Sequence, residues 1–156
     1  MTTLPRWLPT ANRVVRALNR ANLRLGTIHV LTVPGRVSGK PRATPISPLR
    51  VNGHRYVIAG LVDAQWARNV RAAGVGTLAH GRRTEPVRLT EVTDPDLRRA
   101  VMHAFPSEVP HGVPFFVRIG LVRGADPDEF AAAADQVAVF RVDSERPGSH
   151  EGSRAG

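Results

Sequence analysis

The chain contains no cysteine, which excludes disulfides, iron–sulfur clusters and thiolate zinc sites. Lysine is nearly absent too: Lys40 stands alone among 22 lysines and arginines. Aromatic residues make up 5% of the sequence, with a single tyrosine. They do not interleave with the basic residues as a nucleic-acid stacking platform would, so no nucleic-acid partner is expected. No run approaches the roughly 18 apolar residues of a membrane-spanning helix. The opening MTTLPRWLPTANR has no apolar signal-peptide core, so a cytoplasmic protein is expected. The six histidines, at 29, 54, 80, 103, 111 and 150, form no i, i+4 pair and no HExxH, so no metal site is expected. Neither GxGxxG nor GxxxxGK[ST] occurs, and regular β–α–β alternation is missing, which argues against a parallel nucleotide-binding sheet.

What remains is the length of one ordinary domain, 156 residues, with 42% hydrophobic residues, enough for a single core. Net charge is +9 and the isoelectric point is near 11.6, which favours an anionic partner. GC-rich coding also accounts for abundant arginine, but not for its positions.

Thr10 to Leu25 reads as an amphipathic helix. At about 100° per residue, Arg13, Arg16, Arg20 and Arg24 share one arc, opposite Ala11, Val14, Ala17, Leu18, Ala21 and Leu25. Such a basic face suits peripheral contact with an anionic membrane or the mouth of an anion site; a solvated face on a packed helix is the plainer reading. After Gly26 the pattern turns to strand. TIHVLTV leads to a turn at Gly35–Gly39, followed by KPRATPISPLRV, whose prolines 41, 45 and 48 mark an edge or bulged strand. Asn52-Gly53 signals a tight turn into HRYVIAGL. LVDAQWARNVRAAG predicts a short helix with Asp63 as N-cap and Gly74 as its stop. VGTLAH and EPVRLTEV form a hairpin through GRR. Asp94-Pro95 opens a helix running to about Phe105, HGVPFFVRIGLV reads as loop or strand, Asp126-Pro127 starts another helix, and VAVFRV closes a domain spanning residues 1–142. The tail, 143–156, is expected to be disordered. The order predicts an α+β, mainly β protein: a small antiparallel barrel with flanking helices.

GRVSGKPRATPI, Gly35 to Ile46, concentrates charge and backbone freedom. Two glycines permit left-handed angles that gather N–H groups into an anion-accepting nest, and Ser38 adds a hydroxyl. Beyond the turn, alternation puts Lys40, Arg42 and Thr44 on one strand face and Pro41, Ala43 and Pro45 on the other. Arg36 stands on the incoming side. Such a set suits a phosphate and nearby carboxylates; a solvated hairpin tip that blunts an edge strand is the plain alternative.

That stretch, then RYVIAG, then the Trp66-Ala67-Arg68-Asn69 helix, RAAG and a strand, resembles the deazaflavin-dependent nitroreductase family of the split β-barrel flavin-binding superfamily. The resemblance spans roughly Ile28 to Thr90, with an echo in DEFAAAADQVAVFRV. It implies binding of coenzyme F(420), an 8-hydroxy-5-deazaflavin with a phosphate and an oligoglutamate tail. It further implies hydride transfer to a nitro compound, quinone or activated alkene. By resemblance Arg36, Val37, Ser38 and Arg42 hold the phosphate region, and Lys40 reaches toward the tail. Ala43, Thr44, Pro45 and Ile46 pass beside the ring, Ala59, Gly60 and Leu61 line the opposite wall, and Trp66 and Asn69 close the site. Val37 stands where family members often carry lysine, and Gly60-Leu61 where others carry Ser-Lys. The cofactor carries the chemistry, so no catalytic side chain is named; the acceptor's proton could come from solvent, Ser47 or a histidine. FMN or haem on the same barrel is the alternative cofactor, and a homodimer is expected.

Overall fold

The computed structural model describes residues 28–145. The predicted helix over Thr10–Leu25, with its four arginines, lies outside the described residues. Seven strands, β1 (His29–Pro34), β2 (Pro41–Ile46), β3 (Leu49–Val51), β4 (His54–Ala59), β5 (Val75–His80), β6 (Arg83–Glu91) and β7 (Ala138–Ser144), form one sheet. The spatial order is β2-β1-β5-β6-β7-β4-β3, and every pairing is antiparallel. The two edge strands, β2 and β3, are consecutive in sequence and separated by Ser47 and Pro48 alone. Two residues reach only about 7 Å, so the sheet must curl until its edges meet at that step. The result is the expected split barrel.

Four helices flank it: α1 (Gln65–Ala73), α2 (Pro95–Glu108), α3 (Val113–Arg118) and α4 (Pro127–Ala132). Asp94 and Asp126 cap α2 and α4 by accepting from the amides of Asp96 and Asp128, as expected of Asp-Pro helix starts. The cap predicted for α1 is different. Ala64 is the N-cap and no side chain bonds there, because a turn closed by the Ala64 amide on the Leu61 carbonyl leads into the helix one residue beyond Asp63. Gly74 ends α1 at φ 71°, the left-handed stop that glycine adopts without strain.

Other departures have local causes. KPRATPISPLRV is two strands, since Pro48 interrupts the ladder between β2 and β3. HGVPFFVRIGLV, read as loop or strand, folds as a short 3-10 turn and α3; Val113 and Phe116, three apart, are the pair it buries. β7 runs through Asp143 and Ser144, where the tail was expected to begin. Glu145 then donates its amide to the Pro86 carbonyl and pairs with Arg88 at 2.9 Å.

Strand alternation divides the core. Val57 and Ala59 of β4, with Leu31, Val33, Leu78, Val87, Phe140 and Val142, fill the barrel, and α1 closes one end with Ala67 and Val70. Their neighbours Tyr56 and Val139 face outward into a second cluster built on Phe105, Phe116 and Phe130 from α2, α3 and α4. Burying each such side chain contributes about 1.5–3 kcal/mol. Arg98 ties α2 to this assembly through the carbonyls of Val92, Ala134 and Val137. Among the described residues no helix is long and apolar enough to cross a membrane.

Candidate functional site

The turn between β1 and β2 is closed by its own backbone. The Gly35 amide donates to the Lys40 carbonyl at 2.7 Å and the Gly39 amide to the Gly35 carbonyl at 2.9 Å. The Lys40 amide donates to Ser38 Oγ at 3.2 Å. Of the two glycines only Gly39 is left-handed, at φ 75°. Gly35 serves by its size, since a Cβ there would lie 3.3 Å from the Lys40 carbonyl oxygen and 3.4 Å from Arg42 Nε. With the Arg36 amide bound to Asn69 Oδ1, the turn amides left for a ligand are those of Val37 and Ser38.

Helix α1 fixes Arg36. The guanidinium donates to Asn69 Oδ1 at 2.8 Å and to Gln65 Oε1 at 2.9 Å. Both acceptors are neutral amides, so the arginine is oriented with no carboxylate partner among the described residues. Asn69 is buried, so its role is to position Arg36 as well as to border the site. Gln65 has the same part and was not anticipated; its place one turn before Asn69 on the helix face was the available signal.

Arg36, Val37, Ser38, Arg42, Thr44, Gln65, Trp66 and Asn69 surround a polar cleft of about 460 Å³. Beside it lies a second cavity of about 460 Å³, lined by Thr44, Pro45, Ile46, Gly60, Leu61 and Trp66 and by aromatic side chains from α2 and α3. Thr44 and Trp66 border both, so cleft and apolar slot adjoin. Trp66 is braced from behind by Phe140, with ring centroids 5.9 Å apart.

Three sequence-derived site residues lie elsewhere. Ala59 is 1% exposed and points into the barrel, because its neighbour Gly60 takes the slot-facing position. Ala43 packs against Val30 and Ala79 on the opposite face of β2. Lys40 is exposed at the hairpin and borders neither cavity. Conversely, Phe105, Val109, Phe115 and Phe116 line the slot and were missed: Phe115 and Phe116 because their segment was not read as helical, Phe105 and Val109 because nothing local shows which element their helix end packs against. Phe115 explains the glycine at 60: a Cβ there would meet its ring at 2.7 Å.

A larger cavity, about 780 Å³, lies at the other end of the barrel among His29, Arg50, His54, His80, Arg82, Arg83 and Glu85. Among the described residues no group of three or more metal-ligating side chains occurs.

The cleft and slot fit a ligand with an anionic handle and a flat apolar head. Arg42 has no carboxylate partner among the described residues, and two turn amides and the Thr44 hydroxyl accompany it. The slot offers hydrocarbon walls and an indole edge. Coenzyme F(420), with its phosphate, carboxylate tail and tricyclic ring, has that division of chemistry.

Comparison with curated proteins returns no match. Among solved structures, an F(420)-H2 dependent reductase superposes with a TM-score of 0.50 at 20% identity, covering 75% of this chain and 94% of that one. A chain described as a domain-swapped dimer gives 0.52 at 20% identity, covering 85% and 99%. The haem storage protein HutZ from Vibrio cholerae gives 0.51 at 13% identity, covering 84% and 89%. These likenesses establish the shared fold. A family model for F(420)H(2)-dependent quinone reductase matches residues 9–111, well over half of the chain and all of the hairpin, β4 and α1. The chain therefore belongs to the F(420)H(2)-dependent quinone reductase family and is an F(420)-dependent oxidoreductase.

Proposed function

We propose that this reductase takes quinones as its acceptors, binding them in the apolar slot against the ring of reduced coenzyme F(420). The carrying observation is the adjacency of cationic cleft and apolar slot at Thr44 and Trp66. A planar acceptor and a planar ring need one dry, flat-walled space, and a phosphate needs donors at its mouth. When bound, the cofactor supplies the hydride.

The chain's own residues orient and exclude. The amides of Val37 and Ser38, with Arg42, hold the anionic handle; Arg36, fixed by Asn69 and Gln65, adds positive potential without moving. Pro45, Ile46 and Trp66 hold the head. Phe115 and Leu61, which are 41% and 56% exposed, stand at the open side, where an acceptor would cover them. Keeping water from the ring favours transfer to the acceptor over loss to solvent. Nitro compounds and activated alkenes share the electron-poor planarity that the slot selects and belong to the same proposal as weaker alternatives.

The test is titration of purified protein with coenzyme F(420) and with FMN, followed by mixing the reduced deazaflavin complex with quinones, nitroaromatics and enones. Saturable F(420) binding and fastest oxidation by quinones are expected. Tight FMN binding without a response to the deazaflavin would remove the reading. The expected homodimer stands as a proposal whose check is the solution mass by light scattering.

A further inference from the structure

Ser47 Oγ and His111 Nε2 are 2.9 Å apart, although 64 residues separate them in sequence. Ser47 sits in the step between β2 and β3 and lines the apolar slot, as does Gly112, next to the histidine. His111 itself is exposed. Among the described residues no acidic or basic side chain lines the slot. Its hydroxyls are Thr44, at the border with the cleft, and Ser47, which alone of the two hydrogen-bonds an ionisable group.

We infer that Ser47 and His111 form a proton relay from solvent into the slot, with Ser47 as the donor to the reduced acceptor. This rests on the reductase reading above. A quinone that has accepted a hydride, with its two electrons, from the reduced cofactor is left one proton short of neutral hydroquinone. In a dry slot that charge is costly, so a donor within reach accelerates the reaction. The Ser47 O–H bond breaks as the new O–H bond forms on the acceptor oxygen. The Nε2 proton of His111 passes to Ser47 Oγ, and water, which reaches the exposed ring, restores the imidazole proton. The reduced cofactor is oxidised, and its remaining proton returns to solvent. The relay uses the tautomer or imidazolium form carrying hydrogen on Nε2, which leaves the Ser47 hydroxyl hydrogen for the slot.

A purely structural role, in which the bond pins the α2–α3 connection to the sheet edge, makes different predictions. The test compares two hydride acceptors with the reduced enzyme: 1,4-naphthoquinone, which needs a proton, and a cationic triarylmethyl dye, which becomes neutral on accepting hydride alone. In Ser47→Ala the ratio of naphthoquinone to dye turnover should fall by about 100-fold, the lower end of general-acid contributions. His111→Gln keeps a hydrogen-bonding partner for Ser47 but cannot relay a proton, and should lower the same ratio at least about tenfold. Independently of turnover, infrared difference spectra of naphthoquinone bound to the protein without cofactor should show its carbonyl stretch lowered in the wild type and restored in Ser47→Ala. Equal losses with both acceptors, or a carbonyl unshifted in the wild type, overturn the relay. A wild type that reduces neither acceptor removes the reductase reading and the relay with it. A working wild type whose variants keep the ratio removes the relay alone.

Discussion

Arg42 and Asn69 act on the same cleft by different means, and their replacements should separate. Arg42 faces the cleft with no carboxylate partner among the described residues, so Arg42→Ala should leave the fold intact. It should weaken F(420) binding by about 1–3 kcal/mol, the scale of one charge-assisted hydrogen bond; fluorescence titration measures it. Asn69 is buried and accepts from both the amide and the guanidinium of Arg36. Asn69→Leu removes that acceptor and leaves the turn's charge unanchored. It should cost about 1–2 kcal/mol of stability in denaturant titration and lower cofactor affinity as well. Arg42 was legible from sequence because strand alternation fixes the face of a residue once the turn is located. The work of Asn69 was not, because it depends on a contact across 33 residues that no local pattern encodes.

At the scale of elements, one glycine and one pair of threonines give opposite expectations. Gly60 ends β4 against α3, and a methyl group there would lie 2.7 Å from Phe115 and 3.1 Å from both Phe116 and Ile119. Relief of chain entropy by a Gly→Ala change is worth about 0.4–1 kcal/mol, and overpacking of this kind costs about 1–3. Gly60→Ala should therefore lower the thermal midpoint and, by shifting the phenylalanines, weaken binding of planar ligands. Thr32 and Thr77 are register partners on β1 and β5, both buried, and neither hydroxyl has a hydrogen-bond partner among the described residues. Replacing both by valine removes two unsatisfied polar groups without changing shape and should raise stability by about 1 kcal/mol or more in chemical denaturation. The strands were readable because their turns carry unambiguous chemistry: Asn52 and Gly53 both adopt positive φ, at 52° and 81°, as an Asn-Gly hairpin requires. Helix α3 escaped because its apolar residues crowd together with a proline, a pattern that strand and helix share over short spans. The part of the slot's aromatic wall that α3 supplies, Phe115 and Phe116, was invisible for the same reason.

At the scale of the molecule, two groups of described cations stand at opposite ends of β1. The hairpin cations follow the end of β1. Arg82 and Arg83 lie beyond its start, because β5 runs antiparallel to it with Val30 opposite Ala79. The six residues of β1 separate the ends by roughly 17 Å, about twice the screening length of 8 Å at physiological salt. Cofactor affinity should thus depend on local cations rather than on the total of +9. Replacing Arg82 and Arg83 together by alanine should change the dissociation constant by less than about twofold at that ionic strength, against the much larger loss for Arg42→Ala. Overall architecture was accessible from sequence through the antiparallel order of strands, whereas closure depends on the Ser47–Pro48 step, whose significance emerges only once β2 and β3 are known to be opposite edges. The shared border of Thr44 and Trp66 has a last consequence. Cleft and slot behave as two modest receptors joined at a fixed spacing, so a ligand spanning them gains avidity from tethering. Inorganic phosphate and a tail-less deazaflavin should each bind feebly, and saturating the protein with either should displace the intact coenzyme only at concentrations far above its own.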